Sequence, residues 1–234
     1  MFKLLYKIIK YFEKDQKLDF NIYNLSKQIK QDIKSNNIQR IACITSEIIY
    51  SQSKLDYWYI NITNQKFYNY SNLVFSIVTI NDITYLTFKG SNSLNDFITD
   101  LNIDDTDFLQ GKVHKGTLDL IEPFFENIIY LLKNKSKIII TGHSLGGGLA
   151  TLMYLYIKEY YKFNVLLITF GCYHLLNKPL TKQVEGLNYV YQSDIVTKIP
   201  FNFHHLKNRI QLNKKKLIPS IKDHSLINYY NYLI

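Results

Sequence analysis

The chain has 234 residues, of which 47% are hydrophobic and 15% aromatic. This composition supplies a sizeable core and excludes disorder as the dominant state, because disordered chains are poor in such residues. The net charge of +9 comes almost entirely from lysine, since Arg40 and Arg209 are the only arginines. Direct reading of nucleic-acid bases relies heavily on arginine, so no nucleic-acid partner is expected.

Neither a signal peptide nor a membrane-spanning helix is predicted. Lysines at positions 3, 7 and 10 interrupt the apolar residues at the start of the chain, unlike the continuous apolar region of a secretory signal. No window reaches the roughly 18 apolar residues that a spanning helix needs. The pattern favours a soluble, intracellular protein. Its two cysteines, Cys43 and Cys172, are too few for a disulfide framework and are expected to be buried thiols.

The N-terminal third is predicted to be helical. Residues 2–14 place apolar side chains on one helical face and lysines on the other, which fits a helix packed on the domain or lying on an anionic lipid surface. Residues 21–36 predict a second helix. Residues 40–50 predict a third element, which contains Cys43.

From residue 72 onward, strand and helix patterns alternate. Strands are predicted at 72–80, 83–89, 137–141, 165–170, 187–191 and 206–212, with Asn81 and Asp82 as a hairpin turn. Helices are predicted at 117–133, 145–160 and 225–234. Such alternation is typical of an α/β fold with a largely parallel central sheet. Because no linker or internal repeat interrupts it, we predict a single domain over residues 1–234.

The strongest chemical signal is the sequence Gly142-His143-Ser144-Leu145-Gly146. It is a Gly-x-Ser-x-Gly motif that directly follows a predicted strand and directly precedes a predicted helix, which is the context of a nucleophile elbow. The glycines allow close backbone approach. At the helix N-terminus, free N–H groups favour a developing oxyanion, and the backbone N–H of Leu145 is predicted to be one of its donors.

A serine nucleophile needs a base to take its proton and an acid to orient that base. In the hydrolase order the acid and then the histidine follow the serine. Asp194 directly follows a predicted strand, whereas Asp223 adjoins His224 in sequence, so Asp194 is the preferred acid. Chain order favours His224 as the base but leaves His204 and His205 open.

Several separated motifs resemble the class 3 (fungal-type) lipases of the α/β-hydrolase superfamily. From about residue 72 onward they follow the family's order, while residues 1–70 match it weakly. The matching segments are Thr87-Phe88-Lys89-Gly90-Ser91, Val113-His114-Lys115-Gly116, residues 141–150, Thr169-Phe170-Gly171, residues 193–200 and Asp223-His224 with Tyr229.

This resemblance implies an α/β-hydrolase fold with its catalytic core in residues 72–234. It also implies a catalytic triad of Ser144, Asp194 and His224, with Ser91 as the second oxyanion-hole residue beside Leu145. His204 and His205 correspond in position to a noncatalytic histidine of the family.

A lid over the serine is predicted in residues 93–101. Leu94, Phe97, Ile98 and Leu101 recur at helical spacing, and Ser93 is placed to cap the helix. The family's lid lies just after the oxyanion residue, so the resemblance implies that this helix covers Ser144. A helix fixed permanently in the fold is the alternative.

The function expected from these residues is a serine esterase that hydrolyses carboxylic esters of lipids, as an acylglycerol lipase. A phospholipase A1 is the alternative within the same chemistry. The alternative from another class is a catalytically silent lipase-like module that binds lipid or protein. No metal or organic cofactor is implied. The expected partners are the lipid ester itself and, through the positive charge, an anionic membrane or lipid surface.

Overall fold

The computed structural model describes residues 26–52, 62–92, 103–214 and 218–233. Two helices come first, α1 (Ser26–Lys34) and α2 (Ile38–Ser51), which correspond to the second and third predicted elements. The predicted helix at 2–14 and the predicted lid at 93–101 lie outside the described residues. Both therefore stay predictions.

The described part of the chain contains a seven-stranded sheet in the order β1-β2-β3-β6-β7-β8-β9. Its strands are β1 (Ile62–Asn69), β2 (Val74–Ile80), β3 (Ile83–Phe88), β6 (Ile138–His143), β7 (Val165–Phe170), β8 (Gly186–Tyr191) and β9 (Arg209–Leu212). Strands β3, β6, β7, β8 and β9 pair in parallel, while β1 and β2 add an antiparallel edge. The predicted α/β class with a mostly parallel sheet is confirmed.

The predicted hairpin turn between β2 and β3 is also confirmed. Asn81 and Asp82 both have positive φ, at 48° and 64°. Two-residue hairpin loops favour this left-handed pair because its twist matches that of the flanking strands. Asn and Asp tolerate the conformation better than other residues with a β-carbon.

The remaining elements flank the sheet or connect its strands. They are the hairpin β4 (Asp105–Phe108) and β5 (Gly111–His114), and the helices α3 (Lys115–Ile121), α4 (Phe125–Leu132), α5 (Leu145–Tyr160), α6 (Lys178–Thr181) and α7 (Leu226–Tyr232). The prediction of one helix over 117–133 is wrong, because a 3-10 turn at Glu122–Phe124 separates α3 from α4. Pro123 lies in that turn, and proline cannot donate the hydrogen bond that a continuous helix requires.

Two apolar clusters cover the two faces of the sheet, because side chains alternate along each strand. Leu86 and Ile140 point to the face covered by α5. Tyr85 and Ile139 point to the face covered by α2 and α7. Cys43 and Cys172 are buried free thiols, one in each cluster, as predicted.

The parallel strands set the position of the functional site. Because β3, β6, β7 and β8 run in one direction, the segments that follow their C-terminal ends meet at a single edge of the sheet. These segments begin at residues 89, 144, 171 and 192. Within the described ranges, no helix is long and apolar enough to cross a membrane.

Candidate active site

Ser144 occupies the sharp turn between β6 and α5. Its backbone has φ 59° and ψ −126°, a strained conformation for a residue with a β-carbon. Its N–H donates to the carbonyl of Phe170 at the end of β7 (3.0 Å). The side chain is thereby presented at the helix N-terminus, as the Gly-x-Ser-x-Gly motif predicts.

Two motif glycines make this turn possible. A β-carbon on Gly142 would overlap the backbone of Gly146, and one on Gly146 would overlap the carbonyl oxygen of Phe88. Strand β6, the first turn of α5 and the end of β3 therefore approach one another more closely than any other residue type allows. The motif is required by backbone packing as well as by chemistry.

Asp194 and His224 form a buried hydrogen-bonded pair. Asp194 Oδ2 lies 2.7 Å from His224 Nδ1, and the two side chains are 0% and 5% exposed. Since a carboxylate oxygen only accepts, the Nδ1–H of His224 is the donor in this bond. Nε2 is buried without a hydrogen-bond partner among the described residues.

Gly171 places this pair beside the serine turn. It directly follows Phe170, whose carbonyl accepts from Ser144, and it has φ 58°. A β-carbon at Gly171 would lie 2.9 Å from His224 Nδ1 and 3.0 Å from Asp194 Oδ2. The aspartate–histidine pair thus lies against the residue that follows the Ser144 acceptor, at the edge where β6, β7 and β8 end.

Asp194 has further hydrogen-bond donors that sequence reasoning did not assign. The Tyr229 hydroxyl donates to Oδ2, and the Val196 N–H donates to Oδ1 at 2.9 Å. Burial, followed by the charge of Asp194, raises the pKa of Tyr229 well above its usual value, so its hydroxyl remains a donor. Tyr229 entered the sequence argument only as part of a motif resemblance.

The segments that carry the acid and the base are hydrogen-bonded to each other. Asp223 Oδ2 accepts from the N–H of Ser193 (3.1 Å), and the N–H of Ser220 donates to the carbonyl of Ser193 (3.1 Å). Asp223, the rejected candidate for the acid, therefore joins the two loops. This agrees with the preference for Asp194.

The other candidate histidines have different surroundings. His204 is exposed, and the His205 ring packs edge-on against His174, 4.3 Å away. His174 Nδ1 in turn bonds to the carbonyl of Pro200 (3.1 Å). Among the described residues, only His224 pairs with Asp194 through a ring nitrogen.

The predicted oxyanion-hole residues lie on adjacent segments. Phe88 at the end of β3 pairs with Gly142 of β6, so Ser91 follows β3 on the same side as Ser144 follows β6. A β-carbon on Gly146 would lie 3.0 Å from the Gly90 nitrogen. Leu145 is the first residue of α5, where backbone N–H groups have no partner within the helix.

Comparison with known proteins identifies the family of the chain. A family described as "Lipase (class 3)" matches residues 85–204, about half of the chain. The chain belongs to the class 3 lipase family. The family match ends before His224, so the placement of this histidine rests on the geometry described above.

The chain is also similar to a relative in sequence and to two solved structures in fold. The lipase of Rhizopus niveus is 33% identical over 142 residues, covering 52% of this chain and 36% of the relative. The chain therefore spans about a third of the length of its curated relatives. The fold is similar to that of Rhizomucor miehei triacylglyceride lipase, with TM-score 0.66 and 18% identity over 82% of this chain and 92% of that one. A lipase from Rhizopus microsporus var. chinensis has TM-score 0.63 and 23% identity over 85% and 86%.

Proposed function

We propose that this class 3 lipase is a serine esterase that hydrolyses carboxylic esters of lipids. The observation that carries the proposal is a strained serine at a strand–helix turn, beside a buried aspartate–histidine pair with a 2.7 Å hydrogen bond. Its similarity to Rhizopus niveus lipase and to Rhizomucor miehei triacylglyceride lipase supports lipid esters as the substrate class.

The first half of the reaction forms an acyl-enzyme. Ser144 Oγ attacks the ester carbonyl carbon while His224 Nε2 takes the hydroxyl proton. The imidazolium that results is stabilised by Asp194, which keeps its negative charge. The tetrahedral intermediate then breaks its bond to the alcohol oxygen, and His224 Nε2 returns the proton to that oxygen. The alcohol leaves and the acyl group stays on Ser144.

The second half releases the fatty acid. A water molecule gives a proton to His224 Nε2 and attacks the acyl carbonyl carbon. Collapse of this second intermediate breaks the bond to Ser144 Oγ, which regains its proton from His224. In both halves the backbone N–H groups of Ser91 and Leu145 hold the negative oxygen. Preformed donors of this kind stabilise the transition state without reorganisation.

The test is hydrolysis of a panel of acylglycerols, phospholipids and short soluble esters. We expect turnover of acylglycerols that Ser144→Ala abolishes and that His204→Ala, at an exposed histidine, leaves intact. Turnover that is equal in wild type and Ser144→Ala would contradict the proposal. Absence of hydrolysis on every ester would instead support a silent binding module.

We further propose that the protein contacts an anionic lipid surface. Ile103 and Phe201 are 53% and 59% exposed. The side chain of Asn202, the residue after Phe201, donates to the carbonyl of Ile103 (2.9 Å). Phe201 lies close in sequence to Asp194, and the net charge of +9 complements an anionic surface.

Vesicle co-sedimentation tests this contact. We expect binding to vesicles of anionic phospholipid, and we expect added salt and Phe201→Asp each to weaken it. The control is Tyr130→Asp, at an aromatic residue of α4 that is 78% exposed. This control should leave binding unchanged. Absence of binding by the wild type would contradict the contact, and equal binding by all three proteins would exclude Phe201 from it.

A further inference from the structure

His143 lies next to the nucleophile, and the mechanism above does not use it. It is the last residue of β6 and its side chain is buried. Its Nε2 lies 2.8 Å from the backbone carbonyl oxygen of His224. The two imidazole rings also pack together, with centroids 4.2 Å apart. The residue before the serine therefore contacts both the main chain and the ring of the proposed base.

These contacts define the protonation of His143. A carbonyl oxygen only accepts, so Nε2 carries the proton and Nδ1 accepts from the Tyr50 hydroxyl, 3.4 Å away. Burial, with a smaller contribution from His224, lowers the pKa of His143 well below its usual value. The ring is therefore neutral, and it adds no positive charge beside the imidazolium that forms on His224.

Tyr50 connects this histidine to the oxyanion side of the site. It is near the C-terminal end of α2, and a β-carbon on Gly90 would overlap its hydroxyl. Gly90 directly precedes Ser91. One tyrosine hydroxyl thus touches the segment that precedes the oxyanion residue and also the ring that holds His224.

His224 needs such an anchor because its main chain belongs to a short turn. It ends the 3-10 turn Lys222–His224, and its own N–H bonds only locally, to the carbonyl of Ile221 (2.8 Å). Asp194 fixes the side chain at Nδ1, but it does not fix the carbonyl end of the residue. The direction in which Nε2 points depends on the position of the side chain and on that of the main chain.

We propose that His143 is a positioning residue for the base, acting through its Nε2–H bond to the His224 carbonyl, with Tyr50 fixing its tautomer. The inference rests on the proposed function, in which His224 Nε2 must reach Ser144 Oγ. It assigns to the motif residue before the serine a role that is separate from the nucleophile and the oxyanion hole.

Three substitutions separate the hydrogen bond from simple packing. His143→Gln retains a donor, because the glutamine amide nitrogen can reach the position of imidazole Nε2. His143→Phe retains a ring but loses the donor. His143→Asn is polar but too short to reach the His224 carbonyl. Turnover is measured on a soluble short-chain ester, per active site titrated with a fluorophosphonate, so that any misfolded fraction does not count.

We expect kcat per titrated site to fall about 10–100-fold in His143→Phe and His143→Asn, the range expected for a misaligned catalytic group. KM is expected to stay unchanged, and His143→Gln to restore most of kcat. If Phe and Asn variants turn over like wild type per titrated site, or if Gln fails as they do, the inference is wrong. If His143→Phe and His143→Asn both fail to fold, the test moves to Tyr50→Phe, which leaves His143 in place. This variant must lower kcat for the inference to stand.

A second readout separates this inference from the proposed function. The proton in the short hydrogen bond between His224 Nδ1 and Asp194 is expected to resonate far downfield in the NMR spectrum, where it can be followed without turnover. We expect it to persist in His143→Gln and to broaden through exchange in His143→Phe and His143→Asn. An unchanged resonance in all three His143 variants would overturn the inference, even if the protein hydrolyses esters. If no ester is hydrolysed but the resonance broadens as expected, only the proposed function is contradicted.

Discussion

Replacing Gly171 by alanine is predicted to displace the base while leaving Ser144, Asp194 and His224 themselves unchanged. Gly171 has φ 58°, where alanine is strained by about 1–2 kcal/mol relative to glycine. The added β-carbon would also lie 2.9 Å from both Cε1 and Nδ1 of His224 and 3.0 Å from Asp194 Oδ2. An ordinary contact begins at about 3.4 Å. The pair must therefore move by about 0.5 Å, or the backbone of β7 must yield.

A shift of this size acts mainly on kcat. Misplacement of a catalytic group by about 1 Å costs on the order of 100-fold in rate, so we expect Gly171→Ala to lower kcat by about 10–100-fold. The free energy of unfolding is expected to fall by at least the 1–2 kcal/mol of backbone strain. The substrate KM should change little, because the added β-carbon contacts the side of the His224 ring that faces Asp194.

The assay is hydrolysis of a soluble short-chain ester, together with urea unfolding followed by circular dichroism. Gly116→Ala is the matched control, because its β-carbon would meet only His114, with a closest approach of 3.3 Å to Cε1, and its φ is not positive. We expect the control to keep full turnover. Wild-type kcat in a folded Gly171→Ala variant would refute the reasoning that places the pair against this glycine.

Three further predictions concern the oxyanion hole, the acid and the response to pH. Ser91→Pro removes a backbone N–H and should lower kcat by about 10²–10³-fold, whereas Ser91→Ala should be milder; equal activity of a folded Ser91→Pro and wild type would exclude Ser91. Tyr229→Phe removes a donor from buried Asp194 and should lower the unfolding free energy by about 1.5–3 kcal/mol in urea titrations, and an unchanged midpoint would contradict this. The pKa of His143 is lowered in the folded state, so the unfolded chain binds a proton first as the pH falls below 6.5. Stability should therefore decline below that pH by up to about 1.4 kcal/mol per pH unit for this group. His143→Gln should flatten the decline, and identical slopes for the two proteins would show that His143 does not contribute.

Local sequence patterns predicted much of the fold, because they depend on neighbours in the chain. The helix at 145–160 and the strand at 165–170 have the predicted bounds. Strand β1 escaped prediction because it is an edge strand with mostly polar, partly exposed residues, so it lacks the alternation of a half-buried strand. The single helix predicted over 117–133 was wrong because Pro123 breaks it.

The candidate site also has features that local sequence predicts and features that it cannot predict. The turn at Ser144 is encoded by adjacent residues, and its strained φ was predictable from the motif. The contacts of Tyr229 with Asp194 and of His143 with His224 join residues 35 and 81 positions apart, which no local pattern can reveal. Chain order left three histidines as candidates for the base, and the family resemblance pointed to His224. The packing of the loops places the His224 ring at Asp194.

The central claim is that Ser144, Asp194 and His224 act as one catalytic unit, and the turnover of His224→Ala beside that of His205→Ala tests it most directly. Both variants are measured on one ester, with Ser144→Ala and Asp194→Asn alongside. We predict that the three triad variants each lose about 10⁴–10⁶-fold in kcat. His205→Ala should lose far less, because its ring packs on His174 while the ring of His224 bonds to Asp194. A His205→Ala variant without activity, beside a His224→Ala variant with nearly wild-type turnover, would contradict the account.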